Sequence, residues 1–283
     1  MATLSLWQRV ADDPDLLAAA DAIDPGRVAD LARLRKHHPP DAVAVAVELL
    51  AARRKAAVKF PGLAPRLLAD VPGVEQATPR HVADHKAQRF RRAGLTHLAD
   101  VCCGIGGDSL GFAAAGLDVL AVDRDPVRAW MAGHNARCPA RVADAETFHE
   151  PDRALHLDPA RRVAGRRVSR LADHLPPPPV LRRLLDRHPH AAVKLSPAVD
   201  LDDLAQQLPP GDLEFISDHG RLVQAALYTG RLRADPDRPP RHFAQPHWRP
   251  PGGGAFRPCP PPPKRWRGAN SFGHPKAGYI FEK

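Results

Sequence analysis

Three acids and a cluster of glycines stand at spacings that suit a nucleoside-like ligand. Asp100-Val-Cys-Cys-Gly104-Ile-Gly106-Gly107-Asp108 is an apolar run that breaks into a glycine turn. Glycines at such a turn take positive φ and let the backbone approach a ligand closely. The helix expected next offers free N–H groups and the positive end of its dipole. Asp123 follows Asp100 by 23 residues and closes the next apolar run. A carboxylate there can accept from both hydroxyls of a ribose. Asp144, after a third short run, is placed to accept from an adenine amino group.

Two details choose between ligands of this kind. Ser109 stands where the G-x-G-x-x-G pattern of dinucleotide folds wants its third glycine. Asp100 lies four residues before Gly104, where its charge attracts a cationic amino-acid group and repels a pyrophosphate. Both point to S-adenosylmethionine. The alternative is a nicotinamide-dependent oxidoreductase, whose glycine pattern the turn does not complete.

The elements that must hold these residues can be read from periodicity. Residues 1–78 are Ala-rich with apolar side chains at helical spacing, over Asp15–Ile23, Arg27–Lys36 and Ala42–Lys59, and form a small helical lobe. Strands alternate with helices over 79–233: Leu95–Val101, Leu117–Val122, Arg141–Ala143, Ala154–Leu157 and Ala191–Leu195 as strands, with Ser109–Ala115 and Pro126–Asn135 as helices. Such alternation predicts an α/β, Rossmann-like, mostly parallel sheet with helices on both faces. Leu213–Ser217 and Leu222–Thr229 flank the turn Asp218-His219-Gly220, an antiparallel hairpin at the sheet's edge. Residues 234–283, dense in Pro and Gly, read as an irregular tail.

Composition narrows the partners. Lys and Arg number 41 against 32 Asp and Glu, a net charge of +9, with a sequence pI near 9.9. That balance suits RNA, although an Arg-rich composition also follows from a G+C-rich gene. Cys102, Cys103, Cys138 and Cys259 have no zinc-ligand spacing, and no metal is expected. Cys102 and Cys103 read as small packed hydrophobes. The acids Asp12, Asp13 and Asp15 exclude a secretory signal at the N-terminus, and no apolar run is long enough for a membrane span. A cytoplasmic protein is expected.

The segment Asp100–Asn135 resembles the nucleoside-binding half of class I methyltransferases, especially the branch that includes trimethylguanosine synthase. With KFPGLAPRLLADVPGVEQATPRHVADHKAQRF before it, and LDPARR, AVKLSPAVDLDDL and LEFISDHGRLVQAALYTG after it, the chain is similar over about residues 35–232 to a bacterial group of these enzymes. That group carries a THUMP-like domain at the C-terminus. The resemblance implies S-adenosylmethionine held by Asp100, Gly104, Gly106, Gly107, Asp123 and Asp144, and an RNA substrate. It also implies a substrate-facing turn at Asp158-Pro159. Amino-methylating relatives carry there an Asp or Asn, two prolines and an aromatic; this chain keeps Asp158 and Pro159 but continues Ala160-Arg161-Arg162. Asp158 is the expected catalytic residue, with Pro159, Arg161, Arg162 and Lys194 on the substrate side. The incomplete motif leaves a second reading, an RNA-binding protein that keeps the fold without turnover. The tail after 233 does not resemble the THUMP-like domain, which is missing or altered here.

Overall fold

The computed structural model describes residues 2–159, 162–163, 166–167, 171, 175–235 and 279–280. The chain forms two compact units, Met1–Thr147 and Phe148–Lys283.

In the first unit, Thr3 and Asp13 cap helices α1 (Leu4–Ala11) and α2 (Pro14–Asp21) by accepting from backbone N–H groups. Helix α3 (Val28–Leu34) precedes the long α4 (Pro40–Ala56), which starts on a proline where the missing N–H costs nothing. Helices α5 (Val71–Gln76) and α6 (Arg80–Arg92) lead into β1 (His97–Val101), α7 (Gly107–Ala114), β2 (Asp118–Asp123), α8 (Pro126–Ala136) and β3 (Ala140–Val142). β1, β2 and β3 are parallel, with Asp100 opposite Ala121 and Ala121 opposite Ala140. α7 and α8 are the crossovers that parallel pairing demands.

One core runs through this unit. Val43, Ala46, Leu49 and Phe60 from the N-terminal helices share it with Ile105 of the glycine turn, Leu110 of α7 and Met131 of α8. The helical segment is therefore built into the strand–helix unit by apolar contact. α1 and α5 fall within the span read as helical, outside its named segments. α6 escaped the periodicity reading: it is dominated by Arg and His, with only Val82, Ala83, Ala87 and Phe90 as its apolar buried side.

The second unit holds β4 (Ala154–Leu157), a two-residue ribbon of β5 (Arg162–Val163) with β6 (Arg166–Arg167), α9 (Pro178–Arg187), β7 (Ala191–Leu195), α10 (Leu201–Gln207), β8 (Asp212–Asp218), β9 (Arg221–Tyr228) and β10 (Tyr279–Ile280). β4 and β7 are parallel; β9 runs antiparallel to both β7 and β8. His219 and Gly220 both have positive φ, 48° and 76°, the condition for a type I′ hairpin turn. α9 was hidden by its prolines, which occupy only the first helical turn, where they are tolerated. Most of the segment read as a tail lies outside the described residues; within it Tyr279 and Ile280 pair in parallel with Phe215 and Ile216. The fold is α/β and Rossmann-like, with mostly parallel strands and an antiparallel hairpin. Among the described residues no helix is long and apolar enough to cross a membrane.

Candidate active site

The glycine turn joins β1 to α7 through three left-handed residues, Cys102 at φ 60°, Gly104 at 57° and Gly106 at 81°. The glycines differ in what surrounds them. A Cβ on Gly104 would meet no atom within 4 Å, so the backbone there faces open space. A Cβ on Gly106 would stand 2.8 Å from Ala132 Cα, so Gly106 lets α8 approach the turn. A Cβ on Gly107 would lie 3.1 Å from the Thr78 backbone. Gly104 is thus the glycine of the turn with an open side, while Gly106 and Gly107 serve packing.

Asp123 binds the turn directly. Its carboxylate accepts from Gly104 N at 2.9 Å and from Asp125 N at 3.0 Å. Burial pushes its carboxyl above the ordinary range, opposed by those two N–H donors. A carboxylate has about four lone-pair sites, so acceptor capacity remains after the two backbone bonds. Asp125 in turn caps α8 through Val127 N at 2.8 Å.

Asp100 is fully buried, and its carboxylate accepts from the Ser109 hydroxyl. The residue that breaks the dinucleotide pattern therefore satisfies a buried acid. Asp108, next to Gly107, pairs with Lys86 at 2.5 Å and accepts from Thr78 Oγ1 at 2.7 Å. Lys86 is 0% exposed, so a buried charge pair stands behind the turn. Asp144 is exposed, and its Oδ1 accepts from Glu146 N at 2.8 Å, closing its own turn.

In the second unit Asp158 follows β4 at its C-terminal end, the end at which open α/β sheets carry ligands. It accepts from Lys194 Nζ at 2.6 Å. Sequence reasoning placed Lys194 on the substrate side; its side chain is only 3% exposed and is engaged with Asp158. Pro159 beside it is buried. Lys194 and Glu214 are both register partners of Ala226, so the two charged residues occupy one row across β7, β9 and β8. Glu214 is buried and accepts from Tyr228 OH at 2.9 Å. Glu214 and Tyr228 carry no sequence motif; the register brings Glu214 to this row and sets Tyr228 two positions along β9, opposite Ala192 and Asp212. Arg161 lies outside the described residues, and Arg162 is placed only as a backbone position of β5, opposite Arg167.

Burial raises the Cys103 thiol well above its usual range and takes Cys138 up to about 11, which keeps both protonated and unreactive. His81 and His85 stand four apart on α6, a spacing two metal ligands can use. Among the described residues no group of three His, Cys, Asp or Glu is placed to hold a metal ion.

No family model matches the sequence. The chain is 34% identical over 198 residues to uncharacterised S-adenosylmethionine-dependent methyltransferases of Mycobacterium tuberculosis strains CDC 1551 / Oshkosh and ATCC 25618 / H37Rv, covering 66% of this chain and 54% of each relative. It thus spans about half the length of the curated relatives it matches. A crystal structure from Porphyromonas gingivalis W83, assigned as a methyltransferase, superposes with a TM-score of 0.57 at 21% identity, over 77% of this chain and 58% of that one. That likeness is one of fold.

Proposed function

We propose that the chain is an S-adenosylmethionine-dependent methyltransferase that acts on RNA, with an amine nitrogen as methyl acceptor. The observation that carries the cofactor is the clasp of Asp123 on Gly104: an acid at the end of β2 holds the backbone of a glycine whose outer side is open. Those residues fit the donor. The open face of Gly104 admits the ligand against the backbone, Asp123 accepts from its ribose hydroxyls, and Asp144 from its adenine. Gly106 and Gly107 keep the turn tight, and the Asp100 charge favours the cationic amino-acid end. The relatives in Mycobacterium tuberculosis, named for this cofactor, support the same assignment.

S-adenosylmethionine supplies a methyl group on a sulfonium; the acceptor's lone pair forms the new bond as the C–S bond breaks, and the thioether leaves neutral. The protein then has mainly to hold an in-line geometry. Asp158 orients the acceptor amine by accepting its hydrogen bond, and a proton passes from the methylated nitrogen to solvent. Lys194 fixes the Asp158 carboxylate through their 2.6 Å contact.

RNA is favoured by where the charge lies. Nearly all of the positive excess falls after Thr147, including the run Arg161, Arg162, Arg166, Arg167 and Arg170 close to Asp158 in sequence. Arginines suit phosphate contacts. We extend the proposal to a cytoplasmic location and to the group that carries a THUMP-like domain. A second reading, RNA binding without turnover, draws on Ala160 and Arg161 standing where amino-methylating relatives have a proline and an aromatic. Incubation with methyl-labelled S-adenosylmethionine and total RNA, followed by mass spectrometry of the nucleosides, separates the two. A labelled methylamino nucleoside establishes turnover, and retention of RNA on the protein without label establishes the second reading.

A further inference from the structure

The geometry points to Asn135 as a positioning residue for the methyl-donor site, although it lies at the far end of α8 from Asp123. Its amide uses three hydrogen-bonding positions at once. Nδ2 donates to Ile105 O and to Leu68 O, each at 2.9 Å, and Oδ1 accepts from Leu68 N at 2.9 Å. Ile105 sits between Gly104 and Gly106, the two left-handed glycines of the turn. Asn135 therefore holds the carbonyl in the middle of the turn, while Asp123 holds the N–H of Gly104. The two side chains, from α8 and from the end of β2, fix the 103–104 and 105–106 peptide groups, on either side of the Gly104–Ile105 peptide, in a segment that would otherwise have glycine's freedom.

The other anchor of Asn135 is equally specific. Leu68 opens the stretch leading into α5, and that stretch is tied again to the same helix. Asp70 receives Arg128 of α8 through both guanidinium NH groups, at 2.5 and 2.7 Å. Gly73 has no room for a Cβ, which would fall within 2.5 Å of Ile105 Cγ2 and of Asp70 Oδ1. Thr78 then reaches Asp108 behind the turn. The stretch from Leu68 to Thr78 thus backs the glycine turn, and Asn135 is the side chain that bonds to both.

This inference rests on the donor reading of the turn, and its test separates the two. Asn135→Asp keeps the shape but removes both donors from the Ile105 and Leu68 carbonyls. Leu16→Ala serves as control: Leu16 belongs to the same core but not to the turn. S-adenosylhomocysteine binding is measured by calorimetry, and amide hydrogen exchange is measured at residues 104–107, for wild type and both variants. Asn135→Asp should weaken binding about tenfold, the effect of losing one or two hydrogen bonds that order the site. It should also speed exchange at 104–107, and both effects should shrink at low pH, where the protonated acid regains a donor. Leu16→Ala should lower Tm and leave affinity and local exchange near wild type. Equal exchange at 104–107 in the two variants would overturn the positioning role whether or not the ligand binds. Failure of wild type to bind would overturn the donor reading, and the exchange data would then still decide the role of Asn135.

Discussion

Lys194 donates to Asp158 at 2.6 Å from a side chain only 3% exposed, so the carboxylate at the end of β4 is held by a buried cation. A buried ammonium is tolerated only with its charge compensated. On the proposed reading Asp158 has two roles, and a substitution there must be chosen to separate them. Asp158→Ala removes a carboxylate from Lys194 and should cost on the order of 3 kcal/mol of stability. Asp158→Asn keeps an acceptor near the ammonium and should cost less. Both should lower methyl transfer to RNA about a hundredfold while S-adenosylhomocysteine affinity changes little, the pattern of a lost acceptor contact. A wild-type rate for a folded Asp158→Asn would remove this residue from the reacting centre.

The glycines of the turn should part company on substitution to alanine. At Gly104 the new Cβ enters open space, and the left-handed backbone alone costs about 1 kcal/mol. Gly104→Ala should stay folded and lose donor affinity, because its methyl group fills the ligand's side. At Gly106 the Cβ collides with the α8 backbone at Ala132. Gly106→Ala should lower the melting temperature well beyond Gly104→Ala. Thermal melts beside calorimetric titrations check the contrast.

The Lys86–Asp108 pair behind the turn gives a stability prediction. Lys86 is completely buried, so Lys86→Met leaves Asp108 with the Thr78 hydroxyl but without this buried cation, at a cost of about 3–5 kcal/mol. Asp108→Asn in the same background should recover part of that loss, since the buried negative charge is then gone. Urea denaturation of the single and double variants reads it; a double variant less stable than the single one would contradict the account.

Donor affinity should depend on pH through Asp123. Burial raises its carboxyl above the ordinary aspartate value of 3.8. On the proposed reading the ionised form accepts from the ribose hydroxyls, and the protonated form gives up acceptor capacity. Affinity should therefore be full at neutral pH and fall as pH drops through the raised pKa, above the range where an ordinary aspartate titrates. The sign for stability is the reverse: the native state binds the proton more readily than the unfolded chain. The cost of burying this charge is thus present above the raised pKa and vanishes as pH falls toward and below 3.8. Titrations at several pH values, with Asp123→Asn as the flat control, test the first statement.

Much of the glycine turn and its surroundings was legible because it is local. The Asp100–Asp108 turn, the spacing to Asp123 and the order of strands lie within a short stretch, where glycine, periodicity and acid placement speak directly. The I′ turn at His219-Gly220 was legible for the same reason. What escaped depends on contacts distant in sequence. Asn135 carried no signal beyond closing the predicted helix Pro126–Asn135, because its partners Leu68 and Ile105 are 67 and 30 residues away. Lys194 looked like a substrate contact because nothing in sequence places it against Asp158, 36 residues earlier. Glu214 and Tyr228 meet through strand register alone. α6 was missed because its buried side includes a lysine, and a charged residue on the inner face blurs the helical pattern.

The claim on which the rest depends is that the Gly104–Asp123 clasp binds S-adenosylmethionine or its demethylated product, and calorimetric titration with S-adenosylhomocysteine tests it most directly. Folded wild type should bind one equivalent, and Asp123→Ala should bind more weakly by about 1–3 kcal/mol, roughly ten- to hundredfold, for the loss of ribose and turn hydrogen bonds. No heat of binding from wild type that melts cooperatively, or an Asp123→Ala variant that binds as tightly as wild type, would contradict it.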